Sequence, residues 1–191
     1  MDVGAVEIRV LGCLIEKQRT TPDAYPLSLN SLRLACNQTT NREPVVDYDE
    51  GTIRAALDRL SHRGWARLAS GPGSRAVKFR HLLDEALGLS DAQISVLAVL
   101  MLRGAQTPGE LKQRTERLHP FASLTEVEET LGELIERELL RRLARRSGQK
   151  EQRYAHRLGS AETEEAPLTS LEDRVARLEE QIAELLERLA P

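Results

Sequence analysis

A chain of 191 residues, 40% hydrophobic, 30% charged and 3% aromatic, has room for two small domains with cores of Leu, Val, Ile and Ala. It lacks the run of about 18 apolar residues that a membrane-spanning helix needs. Residues 1–9 show no basic region leading into an apolar stretch, so no secretory signal is expected and a cytoplasmic location follows. The net charge of −3 is unevenly spread: residues 1–82 carry +3, residues 83–158 carry 0 and residues 159–191 carry −6. The acidity belongs to the tail and says little about the rest.

Taken in chain order, Val6, Ile8, Leu11, Leu14 and Ile15 have helical spacing and predict an amphipathic first helix. Ser28 is the expected N-cap of a short second helix carrying Leu29 and Leu32. Asp49 opens a third helix with Ile53, Leu57 and Leu60 on its apolar face. A strand over residues 65–69, a Gly-Pro-Gly turn and a second strand ending in Phe79 and His81 complete the unit.

The same order then returns. Ala92, Ile94, Leu97, Leu100 and Met101 repeat the first helical pattern 86 residues later, and Thr107 with Pro108 starts the short helix. Val127, Leu131 and Leu134 repeat the third pattern at a distance of 74 residues, with Ser123 as the matching cap. A strand over residues 139–143, a Ser-Gly-Gln turn and a strand ending in Tyr154 and His156 close the copy. Three helices and a hairpin in that order predict a winged helix, a helix-turn-helix with a β-hairpin appended. The expected fold is therefore mainly α with small β-hairpins. Two tandem winged-helix domains, residues 1–82 and 83–158, are joined by an apolar segment (residues 81–89) that packs between them.

Residues 159–169 are small, acidic and interrupted by Pro167, which predicts a flexible linker. Beyond them Leu171, Val175, Leu178, Ile182, Leu185 and Leu189 are spaced alternately by 4 and 3 residues, the mark of a coiled coil over residues 170–191. Val175 and Ile182 at a positions with Leu at d favour a parallel homodimer. The open alternative is that the same stripe folds back on its own domains.

The chain resembles the YceH-like family, small bacterial proteins with two winged-helix domains and no assigned biochemical function. The resemblance is densest over residues 11–18, 20–22 and 25–28, continues through 35–38 and 40–45, and resumes over 102–111. Residues 77–78 and 153–156 also fit. What it implies is the fold. It supplies no catalytic residues, because the family has none known.

A winged helix predicts DNA contact, with the third helix in the major groove and the wing on phosphates. Here the signs are mixed. The first third helix carries Arg54 and Arg59 but opens on Asp49 and Glu50, and its counterpart carries six glutamates against Arg137. The second module is thus not expected to insert this helix into DNA. The hairpins are basic: Arg67, Arg75, Lys78 and Arg80 in the first, Arg141, Arg142, Arg145, Arg146, Lys150 and Arg153 in the second. Such clusters can neutralise phosphates without reading sequence, or can pair with the neighbouring glutamates. Residues 37–42, with Asn, Gln, Thr and Arg42 in one turn, are expected as a recognition surface, the alternative being a turn that satisfies its own backbone.

The candidate nucleic-acid contacts are accordingly Arg42, Arg54, Arg59, Arg75, Lys78, Arg145, Arg146 and Lys150. Trp65 is expected as a core plug at the wing base, and His81 and His156 as paired structural residues. Cys13 and Cys36 sit in apolar patterns and are expected as reduced core thiols, the alternative being a disulfide between them; no zinc-ligand spacing, phosphate loop or nucleophile motif occurs. No enzymatic activity, metal or cofactor is expected. Two functions remain: a DNA-associated regulator with weak sequence preference, or a protein-interaction scaffold similar to the tandem winged-helix subunits of chromosome-condensing complexes.

Overall fold

In the computed structural model, which describes residues 3–69, 77–143 and 151–159, the chain is mainly helical with small antiparallel sheets. The first helix, α1 (Ala5–Thr20), is buried continuously from Glu7 to Ile15, because it has neighbours on more than one side. A two-residue strand, β1 (Leu27–Ser28), leads into α2 (Leu29–Cys36). The Ser28 hydroxyl caps α2 by accepting from the Ser31 N–H at 3.2 Å. α3 (Glu50–His62) begins in the same way, with Asp49 accepting from the Thr52 N–H at 2.7 Å. Ile53, Ala56, Leu57 and Leu60 form its inner stripe.

β2 (Ala66–Leu68) and β3 (Lys78–His81) pair antiparallel, and β1 adds to the other edge of β3, giving the order β1-β3-β2. β1 was not anticipated, since two residues are too few to show an alternating pattern. Trp65, 5% exposed, plugs the junction between α3 and β2, as expected from the sequence.

A short α4 (Leu83–Leu87) follows, then α5 (Asp91–Arg103), α6 (Pro108–Thr115) and α7 (Leu124–Glu136). Both α5 and α6 open on a capping box, Ser90 with Gln93 and Thr107 with Glu110. β4 (Leu140–Arg142) and β5 (Tyr154–His156) pair antiparallel. The counterpart of β1 shrinks here to one residue: Gln106 and Tyr154 exchange backbone hydrogen bonds of 3.0 and 2.8 Å.

Both halves belong to one compact unit, and its most extensive helix contact is between α1 and α5. Gly12 makes that approach close. A Cβ there would stand 3.0 Å from Leu102 Cδ2 and 3.2 Å from Met101 Cβ. α5 is buried from Gln93 to Leu102, and each fully buried leucine on either helix contributes roughly 1.5–3 kcal/mol. Two polar ties cross the same seam, Arg19 to Asp91 Oδ1 at 2.6 Å and the Glu43 N–H to Leu102 O at 2.8 Å. Leu83 is fully buried within the segment between the halves. Residues 160–191, which hold most of the expected acidic linker and the whole heptad stretch, lie outside the described residues. So do Leu171, Val175, Leu178, Ile182, Leu185 and Leu189.

Candidate nucleic-acid interface

Arg42 does not belong to a surface. It is 4% exposed and its guanidinium is fully engaged: Nε donates to Ala35 O at 3.0 Å, one terminal nitrogen to Glu16 Oε1 and Asn41 O, the other to Glu16 Oε2 at 2.5 Å and Gln38 Oε1 at 2.8 Å. Burial alone would push the Glu16 carboxyl up. The Arg42 hydrogen bond and charge, with Lys17 at 3.3 Å, outweigh it and hold Glu16 below the usual carboxylate range. This corrects the expectation of a nucleic-acid contact at Arg42. A charge taken out of water persists only where partners compensate it, and here an internal carboxylate does so.

The rest of the turn follows suit. The Asn37 side chain donates to Tyr48 O at 2.9 Å and accepts from the Tyr48 N–H at 2.9 Å, closing the loop on itself. Arg9, 4% exposed, donates to Cys36 O at 3.1 Å and Pro44 O at 2.6 Å. Half of the stretch read as a recognition surface is therefore a clasp that holds its own loop and α1, while Thr39, Thr40 and Asn41 remain exposed.

On α3, Arg54 is exposed and Arg59 is half-exposed while paired with Glu7 of α1. Arg63 lies over the Trp65 ring at 6.0 Å from its centroid. On the first hairpin Arg67 is exposed, Lys78 is half-buried and Arg80 pairs with Glu85 at 2.5 Å. Arg75, Arg145, Arg146 and Lys150 lie outside the described residues.

The second half presents the opposite sign. Glu128, Glu129, Glu133 and Glu136 of α7 are exposed. The exposed arginine ending that helix is engaged internally: Arg137 donates to Leu87 O, to Gly88 O at 3.1 Å and to Gln93 Oε1 at 3.1 Å, fixing the end of α4. On the second hairpin Arg142 is exposed, whereas Arg153 donates to Ala105 O.

The profile of a family described as a protein of unknown function, DUF480, matches residues 3–149. The chain belongs to this family. It is 52% identical to a UPF0502 protein of Pelobacter propionicus, over 100% of this chain and 93% of the relative. It is 46% identical to one of Serratia proteamaculans, over 98% and 94% of the two chains. To one of Geobacter sulfurreducens it is 48% identical, over 94% and 88%. The resemblance read from the sequence thus stands at full length.

In this DUF480 chain the repeated histidines are internal. His81, 1% exposed, has Nε2 2.5 Å from Gln18 Oε1, and its backbone N–H donates to the Tyr25 hydroxyl at 2.8 Å. Burial pushes its pKa down to about 4, against the opposing pull of Asp84 3.4 Å from Nδ1. Burial, aided by Arg141, lowers His156 to about 4 as well. Cys13 and Cys36 are buried free thiols. Among the described residues no group of three or more His, Cys, Asp or Glu side chains could hold a metal, and no helix is long and apolar enough to cross a membrane.

Proposed function

We propose that each half is a winged-helix module and that the protein is a non-enzymatic, DNA-associated regulator. Its first half would touch duplex phosphates through α3 and the hairpin. Support for the modules comes from the element order, three helices and a strand pair in each half, and from β1 closing the sheet between the first two helices. The observation that carries the functional reading is the contrast between α3 and α7. α3 exposes Arg54 and Arg59 beside Glu50 and Asp58, with Arg67 on the strand beyond, a mixed face, whereas α7 exposes four glutamates that phosphates repel. The step from fold to DNA is analogy, so the site must be tested directly.

Binding of the full chain to a mixed-sequence duplex, followed by fluorescence anisotropy, should show little sequence preference. With about four phosphates neutralised, affinity should fall roughly a hundredfold between 50 and 200 mM salt. Replacing Arg54, Arg67, Arg75 and Lys78 by Glu should abolish binding, while Glu128→Gln with Glu129→Gln should not weaken it. A salt-indifferent curve, or one untouched by the four reversals, excludes the reading.

A protein-interaction scaffold is the second reading, favoured by the α7 glutamates and by two apolar side chains left exposed on the first hairpin, Leu68 at 61% and Val77 at 55%. Failure to bind any duplex at low salt decides for it. Association of two chains through residues 170–191 belongs to either reading. Light scattering of the full chain beside a version ending at Leu158 tests it, and equal masses per protomer count would exclude the heptads as the contact.

A further inference from the structure

The seam between the halves opens into a cavity of about 450 Å³ that neither functional reading uses. Its walls come from both halves: Glu16 and Thr20 of α1 and Asn41 of the clasp on one side, α5, α6 and the turn after α6 on the other. Arg103, Arg114 and Arg117 converge on it, above a floor of Val99, Leu102 and Leu118.

Two of these three cations lack a carboxylate partner among the described residues. Arg103 donates to the Asn41 side chain, a neutral partner. Arg114 lies 3.3 Å from Glu110, and among the described residues Arg117 has no carboxylate partner. Burial, then the neighbouring Arg114, holds Arg103 below its usual value despite the opposing pull of Glu16, as expected where positive charges crowd together. Glu16 is the single carboxylate in the wall, and Arg42 already neutralises it from behind.

We propose that this cavity binds a small dianionic metabolite, a phosphate monoester or a dicarboxylate on a compact carbon frame. Guanidinium forks suit such groups because each donates two parallel hydrogen bonds to a planar or tetrahedral oxyanion. Arg103 and Arg117, the two without a carboxylate partner among the described residues, match the charge of one dianion. The volume is that of a small-molecule pocket, and the apolar floor fits the carbon frame. Asn41 and Glu16 at the opposite wall can take a hydroxyl or amino group of the ligand. A running phosphodiester backbone fits less well, since it would have to bend into a concave site past the Glu16 carboxylate. Because the lining belongs to both halves, an occupied site would tie α1 to α6.

The inference is independent of DNA binding, and its test contains no nucleic acid. The full chain is titrated calorimetrically with inorganic phosphate, succinate and adenosine monophosphate, ionic strength being held constant with chloride. At least one should saturate with a Kd of about 1 mM or tighter. Succinate alone would identify a dicarboxylate site, and phosphate with the monophosphate a phosphomonoester site. Arg117→Gln should weaken binding at least tenfold and leave the ligand-free melting temperature unchanged; Arg114→Gln serves if that variant does not fold. No saturation by any of the three below about 10 mM, or variants that bind like the parent, overturns the proposal.

Discussion

The two halves share three helices and a strand pair in the same order, with β1 reduced to a single bridge in the second, yet they handle charge differently, most clearly between the second and third helices. In the first half that connection runs from Asn37 to Asp49 and encloses a guanidinium. In the second it runs from Glu116 to Ser123 and is held by lighter means: Lys112 donates to Phe121 O at 3.1 Å, and His119 stacks edge-on against Phe121 at 4.8 Å. A repeat conserves apolar spacing because spacing makes the core. Its connections are free to differ because each has only its own backbone to satisfy. The longer one became a polar clasp against α1 and α5, and the shorter one stayed a turn.

The largest effect should come from breaking that clasp. Arg42→Ala leaves the Glu16 carboxylate without its main partner and strips donors from Ala35 O and Asn41 O. Removing one member of a buried ion pair typically costs about 3–5 kcal/mol. Lys112→Ala at the corresponding connection should cost about 1 kcal/mol, the scale of one hydrogen bond. Urea midpoints of the two variants measure the contrast. Arg42→Met with Glu16→Gln should recover much of the loss, because no uncompensated charge then remains. Equal costs at the two sites would mean the halves are not held differently after all.

Acid should act on both halves together. His81 and His156 are neutral in the fold with pKa values near 4, whereas the unfolded chain takes up their protons near pH 6.5. A base whose folded pKa is depressed contributes stability that is intact above the unfolded pKa. It is lost as pH falls from about 6.5 to about 4 and changes no further below that. For His81 the full loss is on the order of 3 kcal/mol. The two differ in surroundings: Gln18, Asp84, Arg80 and Arg19 surround His81, while His156 has mainly burial and Arg141. Urea midpoints at pH 7.5 and 5.0 should fall in the parent, and His81→Gln and His156→Gln should each narrow the difference. A parent equally stable at both values would contradict the buried-neutral assignment.

Both the strengths and the failures of sequence reading trace to particular residues. The helices were legible because Ile53, Leu57 and Leu60 recur as Val127, Leu131 and Leu134, and only a buried face imposes that spacing. Trp65 and the two histidines were legible from their repeated or junctional positions. Arg42 was misread because a charged residue in a polar turn is ordinarily exposed, and its partner Glu16 lies 26 residues away in sequence. The arginine cavity was missed for a similar reason. Arg114 and Arg117 are near neighbours in the chain, but Arg103 and Asn41 join them only when α1 packs on α5. Long-range juxtaposition leaves no periodic trace.

A smaller effect is expected at the seam. Gly12 and Ala98 occupy equivalent positions in the repeated first helices, and a Cβ at Gly12 would stand 3.0 Å from Leu102 on the facing helix. Gly12→Ala must displace Leu102 or Met101 by a few tenths of an ångström and should cost about 1–3 kcal/mol, offset in part by the better helix propensity of alanine. Ala98→Gly should cost about 1 kcal/mol through helix propensity and a lost methyl contact. A Gly12→Ala variant more stable than the parent in urea would show that the α1–α5 contact is looser than the 3.0 Å approach indicates.

The smallest substitutions can report whether the halves unfold as one. Asp49 and Ser123 cap α3 and α7 equivalently, accepting from the Thr52 N–H at 2.7 Å and the Glu126 N–H at 3.1 Å. Ser123→Ala should cost about 1 kcal/mol, and Asp49→Ala should act in the same direction on the other half. The sites share no partner, so their free energies should add if one cooperative transition contains both. The broad, apolar α1–α5 seam predicts that it does, with a single calorimetric peak shifted by each variant and shifted furthest by the pair. If the peak splits and each substitution moves only one component, the halves unfold separately. The seam would then be a docking contact between two domains, and charge placed on one half could be altered without consequence for the fold of the other.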